Sequence, residues 1–194
     1  MENEWGNLAG DWDSNEDVMA YSELAFKHLS KLNKFNDANV IDFGCGTGLL
    51  TEKMSPLVKS ITSIDPSKKM IDVLAGKKLP NVTVINDVLT SETINKYNLK
   101  SASFDLVVAS SVFGFIPEFG KVITCLKSLL TSGGFLVQWD WLSPKNNPDF
   151  GLTLESVEKT LVDNGFSNTS LAVPFSLSNP EGDMPVLMAV AQNP

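Results

Sequence analysis

Residues 39–48 read Asn39-Val40-Ile41-Asp42-Phe43-Gly44-Cys45-Gly46-Thr47-Gly48, and no other stretch constrains the fold as strongly. The run from Asn39 to Phe43 reads as a short buried strand. The glycines that follow lead into a helix expected from about Leu49 to Met54. A strand that turns into a helix at Gly44-x-Gly46-x-Gly48 offers bare main chain to a guest. Glycine accepts positive φ and lets a ligand approach the backbone closely. Such a strand is buried on both faces, and it needs parallel neighbours to bury it.

The rest of the chain supplies those neighbours. Short strands are expected at Ser60–Ile64, Val82–Ile85, Phe104–Ser110 and Phe135–Trp139. Between them lie a helix from Lys68 to Ala75 stopped by Gly76, an ambiguous stretch over 90–100, and a helix carrying Phe119, Val122, Ile123, Leu126, Leu129 and Leu130 on one stripe. Ser132-Gly133-Gly134 is expected to break that helix. An earlier helix carries Val18, Tyr21, Ala25, Leu29 and Leu32, with Ser14 as a candidate cap. A last helix bears Leu154, Val157, Leu161 and Val162. Two β segments, about 168–177 and 184–191, close the chain as a hairpin. Alternating strands and helices imply a parallel sheet covered on both faces. In such a sheet ligands bind at the carboxyl ends of the strands, near the point where strand order reverses. Asp42 to Gly48, Asp65, Asp87, Ser110 and Trp139 fall at such ends.

Composition narrows the function. The 194 residues form one domain by length. The 15 basic residues against 23 acidic ones leave a net charge of −8, which repels phosphate backbones, and no long basic run offsets it. Nucleic acid is therefore not an expected partner. One histidine, His28, and two distant cysteines, Cys45 and Cys125, make no metal site. The N-terminus is acidic and polar, unlike a signal peptide, and the most apolar stretch is too short to span a bilayer. A cytoplasmic location with no membrane role is the expectation.

Two guests compete for the glycine turn. A dinucleotide site would want a third glycine where Leu49 stands. It would also put pyrophosphate beside Asp42, against the preference of a helix N-terminus for anions without acidic company. A cofactor with cationic groups and no phosphates suits the residues better. S-adenosylmethionine carries a sulfonium, an ammonium, ribose hydroxyls and an adenine. Asp42 is expected near the cations, Asp65 at the ribose hydroxyls, and Asp87 at the adenine amino group. Val88 and Met70 would cover the two faces of the ring.

Val40 to Gly48 resembles the first motif of the class I S-adenosylmethionine-dependent methyltransferases. Ile64-Asp65-Pro66-Ser67 resembles their second motif, and Asn86-Asp87-Val88 is similar to the adenine-contacting one. Phe104 to Ser110 and Leu129 to Leu136 resemble the fourth-strand motif and the stretch that enters the fifth strand. The resemblance covers about 40–190, in order. It implies a Rossmann-like three-layer αβα sandwich whose seven-stranded, mostly parallel sheet has the order 3-2-1-4-5-7-6, with strand 7 antiparallel. Residues 39–194 would form that core, and residues 1–38 would cap the site. The implied cofactor residues are Asp42, Gly44, Cys45, Gly46, Thr47, Gly48, Asp65, Pro66, Met70, Asp87, Val88 and Ser110. S-adenosylmethionine enters and S-adenosylhomocysteine leaves.

Catalysis is less legible. Ser110-Ser111-Val112-Phe113-Gly114 follows the fourth strand, where several small-molecule methyltransferases carry histidine or glutamate. Asp140 and then Tyr21 are the remaining candidates for a general base. Holding an already nucleophilic acceptor in line with the methyl group is the simpler expectation. His28 reads as a packing or surface residue, Cys125 as a core thiol, and Cys45 as a small residue fitting the turn. Trp5, Trp12, Tyr21, Phe113, Phe115, Trp139 and Trp141 are candidates to line an acceptor pocket for a small molecule. The alternatives are a non-catalytic S-adenosylmethionine-binding regulator or complex subunit and a nicotinamide-dependent oxidoreductase. The sequence leaves the oligomeric state open.

Overall fold

The computed structural model describes residues 6–32, 35–144, 150–179 and 182–194. Among them seven strands form one sheet of order β3-β2-β1-β4-β5-β7-β6. The strands are β1 (Asn39–Phe43), β2 (Ser60–Ile64), β3 (Val82–Ile85), β4 (Phe104–Ser110), β5 (Leu130–Trp141), β6 (Ser167–Asn179) and β7 (Gly182–Gln192). The first five pair in parallel, and β7 runs antiparallel to both β5 and β6. This is the order expected, and the terminal hairpin is β6–β7. The order reverses between β1 and β4, so the crevice at the top of the sheet opens beside the glycine turn.

The helices are α1 (Glu16–Ser30), α2 (Leu49–Met54), α3 (Lys68–Gly76), α4 (Ser91–Lys96), α5 (Gly120–Leu129) and α6 (Leu154–Asp163). They cover both faces of the sheet and divide the apolar core in two. On one face Ile41, Phe43, Val107 and Leu136 pack with Ile123, Leu126 and Leu129 of α5 and Val157 and Leu161 of α6. On the other, Val40, Val108, Val137 and Trp139 pack with Tyr21, Ala25 and Leu29 of α1 and Leu50 and Met54 of α2. Adjacent residues of β1, β4 and β5 therefore enter opposite cores, which is why these strands read as continuous apolar runs.

Local chemistry sets the boundaries and corrects two of them. Asn15, not Ser14, caps α1, because its side-chain oxygen accepts the N–H groups of Asp17 and Val18. Thr90 and Thr153 close capping boxes at α4 and α6, so the ambiguous stretch over 90–100 holds a real helix. The second correction is β5, which begins at Leu130 rather than Phe135. The N–H of Gly133 donates to Asn193 O at 2.7 Å, and the N–H of Asn193 donates to Gly134 O at 2.8 Å. The Ser132-Gly133-Gly134 segment is thus stitched into the sheet by the end of the chain. The two strands of the terminal hairpin also run longer than the sequence pattern implies.

Candidate functional site

The glycine turn stands at the carboxyl end of β1. The N–H groups of Gly44 and Cys45 donate to Ile64 O at 2.8 and 3.2 Å, which ties the turn to β2. Gly44 has φ +68°, and a methyl group on it would come within 2.4 Å of Val112 Cγ2, a contact no other residue could make. Gly46 differs. Its φ is +54°, yet a methyl group there would meet only Trp12 Nε1, at 4.0 Å. Main chain is exposed to open space at Gly46, as a cradle requires.

Asp65, at the end of β2, frames the cradle. One carboxylate oxygen accepts the N–H of Gly46 at 3.0 Å, and the other accepts the N–H of Ser67 at 2.8 Å. Burial pushes its pKa up, while those two N–H groups pull it down. Pro66 is exposed beside it. Asn86 fixes this turn by donating to Asp65 O at 3.1 Å and Pro66 O at 2.9 Å, a role its place before Asp87 did not disclose. Asp87 accepts the N–H of Val88 at 3.0 Å and pairs with Lys96 at 2.7 Å, and Lys96 holds its pKa below the usual carboxylate value. Val88 is 53% exposed, an apolar surface placed beside these polar groups. Met70 is buried on α3.

Asp42 lies below the cradle rather than in it. It is 1% exposed and accepts a hydrogen bond from Thr51 of α2, whose hydroxyl is also 3.1 Å from Ser63 Oγ. Desolvation raises its pKa to about 7 against the help of Thr51. Burial and the neighbouring Asp42 and Asp65 push the Cys45 thiol well up, which makes it a poor nucleophile.

The N-terminal segment crosses the turn. Thr47, itself buried, donates to Asp13 Oδ1, and Asp13 Oδ2 pairs with Lys77 at 2.8 Å. Lys77 also pairs with Glu52 at 2.9 Å. Burial alone would lower its pKa, but Asp13 and Glu52 outweigh that and raise it. Sequence reasoning did not assign Asp13 or Lys77. Their partners lie 34 and 25 residues away, beyond any local pattern.

The ends of β4 and β5 form the other side of the crevice. Ser110 pairs with Trp139 in the sheet. Ser111 follows in a left-handed conformation, φ +59°, and its N–H donates to Trp139 O at 2.7 Å. Phe113 is fully buried, stacked on Phe43 at 5.7 Å between ring centroids. Asp140 is buried under this loop. It accepts the N–H of Gly114 at 3.0 Å, and desolvation raises its pKa to about 7. Tyr21 of α1 meets Trp141 edge-on at 5.1 Å and Phe175 at 5.5 Å. Burial, and then the charge of Asp140, push the Tyr21 phenol well above its ordinary value. Among the described residues the buried Tyr21 Oη, Gln138 Oε1 and Trp139 Nε1 have no hydrogen-bond partner. His28 stacks on Phe175 at 5.9 Å, as a packing residue would. Trp5 lies outside the described residues.

The sequence that builds this crevice, open main chain framed by carboxylates at the reversal of strand order, matches a known family. The methyltransferase domain family aligns with residues 41–138, from β1 to β5. The chain belongs to that family. The match confirms the resemblance in the motifs, and it does not favour a non-catalytic regulator. The chain is 29% identical over 129 residues to a ubiquinone biosynthesis O-methyltransferase of Paraburkholderia phymatum, covering 64% of this chain and 55% of that protein. It is 30% identical over 167 residues to an uncharacterised methyltransferase of Schizosaccharomyces pombe, covering 79% and 59%. The chain thus spans a little over half the length of these relatives. Among solved structures it is similar to an S-adenosylmethionine-dependent methyltransferase from Aquifex aeolicus, with a TM-score of 0.67, 19% identity and coverage of 88% and 89%. It is also similar to DhpI in complex with S-adenosylhomocysteine, with a TM-score of 0.72, 17% identity and coverage of 98% and 94%. At those identities the structures speak for the fold.

S-adenosylmethionine is the cofactor of this class, and the residues present fit it. The open main chain at Gly46, the carboxylate of Asp65 and the exposed face of Val88 suit a phosphate-free nucleoside with cationic groups. Lys77, the cation held against the turn, is taken up by Asp13 and Glu52. Among the described residues no cluster of acids, histidines or cysteines could hold a metal ion, and no helix is long and apolar enough to cross a membrane.

Proposed function

We propose that this chain transfers a methyl group from S-adenosylmethionine to an oxygen-bearing small molecule. The observation that carries the reading is the conjunction at Gly46: open main chain whose N–H is already bound to the Asp65 carboxylate. The bound cofactor would supply an electrophilic methyl group on a positively charged sulfur. Gly44 to Gly48 and Ser110 would hold its amino-acid portion, with Asp42 below them bracing the turn against α2 through Thr51. Asp65 and Pro66 would hold the ribose, while Asp87, Val88 and Met70 would hold the adenine. Residues 6–14, pinned through Asp13 to Thr47 and Lys77, would cap the site.

The acceptor would lie on the side of β4 and β5. Trp141, half-buried, would supply an aromatic wall there; Tyr21 and Trp139 are buried behind it, and Tyr21 Oη and Trp139 Nε1, without a partner among the described residues, would bond a polar guest that reached them. The name of the Paraburkholderia phymatum relative makes phenols the first acceptors to test. Neither candidate base suits proton removal at neutral pH. The raised pKa of Tyr21 keeps it protonated, and Asp140 is buried with one oxygen taken by the Gly114 N–H and the other facing Gln138. Positioning would carry the rate. Incubation with methyl-labelled S-adenosylmethionine and a panel of phenols and other small metabolites should label one compound class. Cofactor binding without transfer to any compound in a broad panel would overturn the reading.

A further inference from the structure

Asp140 has more to do than fill a buried position. Its carboxylate accepts the N–H of Gly114 at 3.0 Å, and the nearby main-chain N–H groups of Val112 and Phe113 help to hold its pKa down. A charge-assisted bond to one main-chain donor, with two more N–H groups close by, restrains a loop that would otherwise choose among many conformations. The strand that carries Asp140 holds the loop a second time, through the bond from the Ser111 N–H to Trp139 O. Phe113 anchors it from within, stacked against Phe43 and 5.6 Å from the ring of Phe119. What the anchored loop presents is Val112. Its methyl groups lie where a side chain on Gly44 would be, 2.4 and 2.7 Å from that point. The loop thus bears directly on the first glycine of the cofactor turn, and Gln138, fully buried, approaches Asp140 from behind at 3.5 Å.

We infer that Asp140 is a positioning residue for the cofactor turn: by fixing residues 112–114 it sets Val112 against Gly44 and keeps the turn in register with the end of β4. Asp140 touches neither cofactor nor acceptor in this role. It links strand β5, on the acceptor side, to the main chain that would receive the cofactor. The glycine at position 44 is then required from two directions, by its own positive φ and by the neighbour that Asp140 holds in place.

Amide hydrogen exchange on the full chain tests the link without any ligand, and titration with S-adenosylhomocysteine tests its consequence. The second arm rests on the proposed cofactor site, and the first does not. In Asp140→Asn, exchange should accelerate about tenfold at residues 112–114 and also at 44–48, and S-adenosylhomocysteine should bind about tenfold more weakly, a factor worth about 1.4 kcal/mol. In Val112→Ala, exchange should accelerate at 44–48 while 112–114 stay close to wild type. Acceleration in Asp140→Asn confined to 112–114, or spread evenly through β6 and β7, would overturn the inference. So would unchanged protection of 44–48 in Val112→Ala, which decides the matter even if Asp140→Asn fails to fold. Wild-type protein that does not bind S-adenosylhomocysteine would refute the cofactor site, and the exchange pattern would still settle the role of Asp140.

Discussion

The two sides of the crevice are built on different principles. On the β1–β2 side main-chain N–H groups and carboxylates mostly satisfy one another: Asp65 takes the N–H groups of Gly46 and Ser67, and Asp42 takes the hydroxyl of Thr51, with Ser67 Oγ buried and unpartnered among the described residues. On the β4–β5 side large side chains set the shape, and Tyr21 Oη, Gln138 Oε1 and Trp139 Nε1 are buried with no partner among the described residues. Backbone geometry tolerates little substitution, because glycines and acceptors at fixed spacing are the only means of forming it. A wall of side chains can be rebuilt in many ways. The difference suits a fixed cradle on one side and a wall that other side chains could reshape on the other.

Substitution at Gly44 should break the β1–β2 side most severely. Alanine there meets Val112 at 2.4 Å and must adopt a strained positive φ, so Gly44→Ala should weaken S-adenosylhomocysteine binding at least about a hundredfold. Isothermal calorimetry reads the change, and affinity within threefold of wild type would mean that the turn is not the cradle.

The second prediction concerns the one property the two sides share. Burial raises both Asp42 and Asp140 from 3.8 to about 7. A carboxyl group with a raised pKa in the folded state stabilises fully below its unfolded value. That contribution is lost as pH rises through the folded value. The melting temperature should therefore fall between about pH 4 and pH 7 as both groups ionise, and Asp42→Asn should flatten that slope. A slope unchanged in Asp42→Asn would show that this carboxyl is already ionised in the folded protein.

The smallest effect should have the opposite sign. Removing the unpartnered hydroxyl in Tyr21→Phe relieves a buried polar atom worth about 1 kcal/mol, so the melting temperature should rise by about 2–4 °C. A fall would mean that the hydroxyl has a partner in solution and that the contrast between the two sides is weaker than it looks.

The same contrast explains what could be read from the sequence. The strand, the glycine turn and Asp65 lie within 27 consecutive residues and follow local rules of strand burial, positive φ and spacing, so they could be read directly. The sheet order came with the family resemblance rather than from periodicity. Asp13 reaches Thr47 and Lys77 across long sequence separations, and only the folded chain brings them together. Asp140 stands out by its place after the fifth strand, but nothing local shows that its carboxylate bonds the loop after β4. The start of β5 escapes local rules for the same reason: Gly133 and Gly134 read as a break until Asn193, near the other end of the chain, supplies their partners. Asp42 was expected beside the cofactor because its spacing from the glycines was right. Strand alternation instead turns its side chain toward α2, where Thr51 receives it.

Calorimetric titration of wild type and Asp65→Ala with S-adenosylhomocysteine, with NAD as the control ligand, tests the central claim most directly. Wild type should bind S-adenosylhomocysteine at one site and ignore NAD. Asp65→Ala, which leaves the N–H groups of Gly46 and Ser67 without their acceptor, should lose affinity by about thirtyfold or more. Binding of NAD in place of S-adenosylhomocysteine, or equal affinity in the two proteins, would contradict the account.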